Sequence, residues 1–141
     1  MVIADPVTTV ATLISGNWTA SNVDNTTPTI DESWDLGKVN LKRGDVVRCY
    51  EVSGAHAPGT FGKSLDRGSW RISIDMSTAD SRSRLRKIYG EVVRILRANE
   101  TSPGTDYALV RAISRNDLTD KQQRWFRYVL DVDMTSYEEV S

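Results

Sequence analysis

Hydrophobic positions recur along the chain with two periods, and each period predicts a different type of element. A spacing of three and four residues predicts one long amphipathic helix that reaches about Asn99, with capping chemistry at Thr78 and Asp80. A shorter stripe after Asp5 and Pro6 predicts a first helix that Gly16 ends. The apolar positions of the long helix are Leu85, Ile88, Tyr89, Val92, Ile95 and Leu96.

Alternating apolar and polar residues predict four strands, which group into two pairs around the long helix. The first pair covers residues 45–52 and 70–76, and the second covers 107–114 and 126 to about 137. The order α-β-β-α-β-β predicts an α+β fold. In it, a four-stranded, mainly antiparallel sheet carries the long helix on one face.

Two segments lack either period. Residues 17–41 form a polar arm in which Trp18, Ile30 and Trp34 are interleaved, and this arm is ordered only if those side chains find a surface. Residues 53–68 hold four glycines and a proline, which predicts a long hairpin loop between the first two strands. The whole chain, residues 1–141, is expected to form a single domain.

Composition narrows the function classes. The chain has 18 basic and 19 acidic side chains, so no net charge attracts nucleic acid or membrane. No apolar run approaches the roughly 20 residues that span a bilayer, and the first residues do not resemble a secretion signal. The single cysteine, Cys49, cannot form an intrachain disulfide, which favours a reducing compartment.

The sharpest local motif is the stretch at 57–64, which matches a relaxed phosphate-binding loop and ends in Lys63 and Ser64. Such a loop works only when a helix N-terminus follows it and points amides at the phosphates. Only five residues separate Ser64 from Trp70, which leaves no room for that helix. A flexible glycine loop is therefore the favoured interpretation, and no nucleotide or other cofactor is expected.

Other chemical groups are sparse. His56 is the only histidine, and together with Cys49 it cannot complete a structural metal site of four ligands. Asp131 and Asp133 fall on one face of the last strand, so a carboxylate pair is possible there, although a solvated or interfacial face is far commoner. No serine lies in a nucleophile elbow. We therefore expect no enzyme activity.

Basic residues give the long helix a cationic outer surface, with only Asp80 and Glu91 as acidic residues nearby. Nucleic-acid binding through residues 82–97 is therefore an alternative function. The pI of about 5.8 and the lack of a base-stacking aromatic motif argue against it. A solvated face or a protein interface is favoured. The basic positions are Arg82, Arg84, Arg86, Lys87, Arg94 and Arg97.

The order of these elements and the residues within them resemble those of the tail terminator, or tail completion, proteins of long-tailed viruses of the siphovirus or myovirus type. The resemblance covers most of the chain. It rests on the leading helix at 5–15, on the run Ile72-Ser73-Ile74-Asp75-Met76 that passes into the basic helix 82–97, and on the closing stretch 127–134.

The resemblance implies a structural virion protein that forms a ring, commonly a hexamer. Such a ring caps the head-proximal end of the tail tube, stops tube growth and docks to the neck. Implied partners are other copies of the chain, the tail tube protein and a neck or connector protein, with assembly in the host cytoplasm. Another neck or head-tail connector protein of the same virion type is an alternative.

The residues expected to contact partners come from three regions. The arm is predicted to reach a neighbouring subunit because large aromatic side chains are enriched at protein interfaces. The hairpin tip and the solvent-facing charges of the last strand are expected to meet other components. These candidate interface residues are Trp18, Ile30, Trp34, His56, Phe61, Lys63, Arg127, Asp131 and Asp133.

Overall fold

Two α-helices, two short 3₁₀ helices and five strands lie in the described part of the chain, which covers residues 3–32, 40–58, 65–104 and 106–139 of a computed structural model. The α+β class predicted from the sequence is confirmed. The α-helices are α1 (Pro6–Asn17) and α2 (Arg82–Ala98). The strands are β1 (Thr29–Asp31), β2 (Val46–Pro58), β3 (Leu65–Thr78), β4 (Tyr107–Asp117) and β5 (Phe126–Glu139).

The strands form one sheet in the order β1-β2-β3-β5-β4. The prediction of four strands is wrong by one, because the polar arm contributes β1, which pairs parallel to the start of β2. A three-residue strand is too short to show an alternating period, so the sequence could not reveal it. The other three pairings are antiparallel, and the mainly antiparallel character is confirmed.

The hairpin of β2 and β3 is longer than the sequence indicated. Its ladder continues from Val46↔Ser77 to Pro58↔Asp66, with one bulge between Glu51 and Ser53. Much of the loop predicted at 53–68 is therefore paired backbone, and its glycine positions Gly54 and Gly68 face Trp70. A Cβ atom at either glycine would lie within 3.0 Å of the Trp70 ring, so the close approach requires glycine at both positions.

Both helices begin at side-chain caps. Asp5 accepts a hydrogen bond from the Val7 amide at 2.8 Å, and Pro6 is the first residue of α1, as the sequence predicts. Gly16 does not end α1, which continues to Asn17. The cap of α2 is Ser81, whose hydroxyl accepts from the Arg84 amide, rather than Thr78 or Asp80.

The core lies between the helices and one face of the sheet. The stripe of α2 buries Leu85, Ile88, Val92, Ile95 and Leu96 against the sheet, which confirms the predicted packing of the long helix on one face. β3 and β5 contribute alternate residues to the same core, namely Ile72, Ile74, Met76, Tyr128, Leu130, Val132 and Met134. The opposite sheet face therefore carries the polar residues of these two strands.

Tyr128 has its hydroxyl in the core without a hydrogen-bond partner among the described residues. We expect Tyr128→Phe to be neutral or to stabilise the fold by about 1 kcal/mol, because a buried unsatisfied hydroxyl carries a desolvation penalty. The matched control is Tyr107→Phe, since the Tyr107 hydroxyl donates to the Ala4 carbonyl. That control should lose about 1 kcal/mol in urea unfolding. Equal losses in both variants would contradict the prediction.

Candidate functional site

The sheet face that points away from the helices carries mostly polar and charged side chains, with Val46 and Val129 among them, and is here called the polar face. Its residues alternate with core residues along β2, β3 and β5, so the strand period alone places them on this side. β3 and β5 are adjacent and antiparallel, which sets their side chains opposite each other. The polar face comprises Arg48, Arg71, Ser73, Asp75, Arg127, Asp131 and Asp133.

Asp75 is the centre of a buried ion cluster on the polar face. Its carboxylate is fully buried and accepts hydrogen bonds from Arg48 and, at 2.7 Å and 3.0 Å, from Arg127. Arg48 is only 1% exposed, and its Nε and Nη1 atoms have no partner among the described residues. The Arg127 guanidinium also lies 5.2 Å from the Trp125 ring. Two cations thus share one buried carboxylate.

The remaining polar-face pairs are more exposed. Arg71 makes a two-point ion pair with Asp133, at 2.9 Å and 3.2 Å. Ser73 and Ser114 both donate to Asp131. Asp131 and Asp133 do share one face, as predicted, and each is bonded to donors of its own chain. Arg127, predicted to face solvent, is instead largely covered and bonded to Asp75, because Asp75 lies diagonally across the β3–β5 ladder.

The cations of α2 are mostly engaged by the chain itself. Lys87 and Arg84 both bind Asp24 of the arm, and hydrogen bonds from Lys87 and then Arg84 lower the pKa of Asp24. Arg82 pairs with Asp117, and Arg94 pairs with Glu91. Arg86 and Arg97 make no ion pair with a described carboxylate. The continuous cationic surface expected from the sequence is therefore interrupted by internal pairs.

Glu91 was grouped with the outer charges of the helix, and the structure corrects this: it is 2% exposed. Its carboxylate accepts from Arg94 at 2.6 Å and 2.8 Å, from the Thr19 amide at 2.6 Å and from the Asn22 amide group at 3.0 Å. The Arg94 hydrogen bonds are the main reason that the pKa of Glu91 falls to about 2. Glu91 thus attaches the arm to α2.

The predicted contact residues of the arm lie on their own domain. Trp18 and Ile30 are partly buried against the core, and the Trp18 ring nitrogen donates to the Thr26 carbonyl at 3.0 Å. Val23, between them in sequence, is fully buried. The described arm therefore does not extend freely from the domain, and contact of Trp18 and Ile30 with a neighbouring subunit stays a prediction. Trp34 lies outside the described residues.

The hairpin tip is described only in part. Phe61 and Lys63 lie outside the described residues, as does the side chain of His56, whose backbone pairs with Gly68 in the ladder. Leu65 is already in β3, so a strand follows Ser64, where a phosphate-binding loop requires a helix.

Burial raises the pKa of the Cys49 thiol to about 12, which keeps it protonated and unreactive.

Within the ranges given above, no cluster of three or more histidine, cysteine, aspartate or glutamate side chains is arranged to hold a metal ion. Among the helices described, none combines the length and apolar character that crossing a membrane requires.

Comparison with solved structures identifies a shared fold. One matching chain comes from a structure described as the virion of a native gene transfer agent (GTA) particle, with a TM-score of 0.67. The match covers 96% of this chain and 100% of that chain. This protein has the fold of that virion chain. The two sequences are 11% identical, no protein-family model matches, and no curated protein matches by sequence.

The sequence did not indicate that Arg48 and Asp75 form a buried ion cluster, or that Glu91 attaches the arm to α2. Asp75 and Ser73 alternate with isoleucines on β3, and this alternation is the signal that places Asp75 on the polar face. No comparable signal shows that Asp75 is buried, because its burial depends on side chains from β2 and β5. Glu91 falls among apolar helix positions, between Ile88 and Val92, and that spacing could have indicated burial.

Proposed function

We propose that this protein is a structural component of a phage-like virion, working as a tail terminator. In this role it forms a ring, commonly a hexamer, at the head-proximal end of the tail tube. The ring stops growth of the tube and docks to the neck. Its partners are other copies of itself, the tail tube protein and a neck or connector protein.

The observation that carries this proposal is the fold match to a virion chain over nearly the full length of both proteins. A match that covers 96% of this chain and 100% of the other favours a role in a similar kind of particle over a fold shared by one short segment. The sequence resemblance to tail terminators, which rests on α1, the β3–α2 junction and β5, supports the finer assignment. It leaves a neck or connector protein as the nearest alternative within the same particle.

The long strands also suit a protein that works by contact. β5 runs for 14 residues, and β4 is an edge strand whose residues 111–117 are all exposed. An exposed strand edge of this length leaves backbone groups unpaired, which promotes aggregation of a free monomer. In an assembly, neighbouring proteins can cover the same edge and pair with it. The internally paired cations of α2 give no comparable support to nucleic-acid binding.

The proposal is tested by removing the protein from an assembling particle. Without a terminator, tail tubes should grow to irregular lengths and remain separate from filled heads in electron micrographs. Adding the purified protein during assembly should restore normal tube length and head joining. A neck or connector protein would behave differently, because its loss should leave tubes of normal length that fail to join. Normal tubes with normal joining would refute both roles.

A further inference from the structure

A groove separates the C-terminal half of α2 from the edge strand β4. Its volume is about 460 Å³, and its floor is apolar, with Val93 and Leu96 from α2 and Val110 from β4. Ile113, at a bulge in β4, adds a side chain that is 46% exposed. Leu96 and Val110 are buried beneath the opening, so its accessible apolar surface comes from Ile113 and the partly buried Val93. We name this opening the α2–β4 groove.

The rim of the α2–β4 groove is cationic. Arg97, Arg111 and Arg115 line it, and Glu100 is the acidic residue among them, which leaves a net charge of +2. Glu100 is bonded to Arg111. Arg97 and Arg115 make no ion pair with a described carboxylate, although both face the same opening.

Arg115 is held in place before any partner arrives. Its guanidinium lies 5.0 Å from the Tyr89 ring centre and 4.6 Å from that of Tyr128, and the two rings contact each other edge to face. A guanidinium that stacks on aromatic rings keeps its N–H donors at the ring edges free for a carboxylate. The rim thus presents a fixed cation whose preferred partner is an anionic side chain.

The chain itself carries a segment of complementary chemistry at the end of β5. Beyond the pairing of Tyr107 with Ser136, β5 continues through Tyr137 to Glu139, past the point where β4 begins. Tyr137 is 49% exposed, and residues 138 and 139 are both glutamate, so the segment is aromatic and has a charge of −2. Its pairing to Arg67 and Leu65 in β3 fixes its direction and prevents it from folding back to its own groove.

We propose that the α2–β4 groove binds the β5 end, residues 137–139, of a second copy of this chain. Tyr137 packs on Ile113 and Val93 of the neighbouring copy, and the −2 charge that the sequence gives residues 138 and 139 attracts the β5 end to the cationic rim. The groove and the β5 end are different surfaces, so each copy offers one to each neighbour, and repetition of this contact closes a ring when the rotation permits. The inference deepens the proposed ring and rests on it.

Complementary charge reversals in the full-length protein test the contact. One variant carries Glu138→Lys and Glu139→Lys, and the other carries Arg97→Glu and Arg115→Glu. Each variant alone brings like charges together and should associate about tenfold more weakly than the native chain. In the mixture, every groove meets an end of opposite charge, so association should return. Sedimentation velocity at low salt, up to millimolar protein, measures it.

The matched control is Arg86→Glu, which reverses an exposed α2 arginine that lies outside the groove. It should associate like the native chain, and thermal melting should show that every variant is folded. A mixture that associates no better than its separate components overturns the contact, as does an Arg86 variant as weak as the groove variant. Neither outcome affects the particle experiment, which tests the terminator role independently of the surface that joins the copies.

Discussion

Replacing Asp75 with alanine is expected to destabilise the fold by about 3–5 kcal/mol, the loss typical of removing one partner from a buried ion pair. Arg48 would keep its charge at 1% exposure with no carboxylate beside it, and its Nε and Nη1 atoms already have no described partner. Arg127 is more exposed and can turn toward water, so most of the loss comes from Arg48. Urea unfolding of the native and variant proteins measures the difference.

Two companion variants sharpen this prediction. Asp133→Ala removes a carboxylate from the same sheet face, but its pair with Arg71 is 38% and 42% exposed, so its cost should stay below about 1 kcal/mol. The double variant Arg48→Met with Asp75→Val removes the two most buried charges and should recover most of the lost stability, because apolar replacements of buried pairs are often neutral and Arg127, at 16% exposure, can turn toward water. If Asp75→Ala cost no more than Asp133→Ala, the buried cluster would have no special role.

Acid should weaken the attachment of the arm through Glu91. Its pKa falls from an ordinary 4.5 to about 2 in the folded protein, chiefly through hydrogen bonds from Arg94. A lowered pKa stabilises the fold above pH 4.5, and this contribution is lost as pH falls from about 4.5 towards 2. The contribution is about 2–3 kcal/mol after allowance for the half-exposed Arg94. Unfolding measured between pH 7 and pH 2 reports it.

Glu91→Gln should remove this acid dependence and cost about 2–3 kcal/mol at pH 7, because a neutral amide places an N–H group among donors. Hydrogen exchange should then rise first at the arm amides near Thr19 and Asn22, which Glu91 holds. The control is Glu100→Gln, an exposed partner of Arg111, with a cost below about 1 kcal/mol at pH 7. Unchanged exchange in the arm would show that Glu91 does not attach it.

The elements with a long, regular period could be predicted from sequence. α2 and the alternating stretches of β3 and β5 were located because one face of each is buried, and burial imposes the period. Asp5 and Pro6 likewise identified the start of α1 through a local rule for helix capping. In each case the signal itself is local, because the period or the cap is read from residues only a few positions apart.

The features that escaped prediction depend on residues far apart in the chain. β1 exists because Ile30 pairs with Val47 across 17 positions, and a polar arm gives no local sign of this. The glycines at 54 and 68 suggested a loop, whereas they are required by the Trp70 ring that lies against both. The groove arises only when α2 and β4 are assembled, and the buried cluster only when β2, β3 and β5 are, so neither has a pattern of its own.

The boundary between β3 and β5 separates two hairpins, and this separation affects how fast the sheet can fold. β2 with β3 and β4 with β5 are hairpins between neighbouring strands, each able to form from nearby residues, while β3 meets β5 only across α2. Closing that boundary joins positions as distant as Leu65 and Glu139, and such nonlocal contacts slow folding because loop entropy is lost before they form. We therefore expect the ion pairs that cross it, such as Arg71 with Asp133, to form after both hairpins.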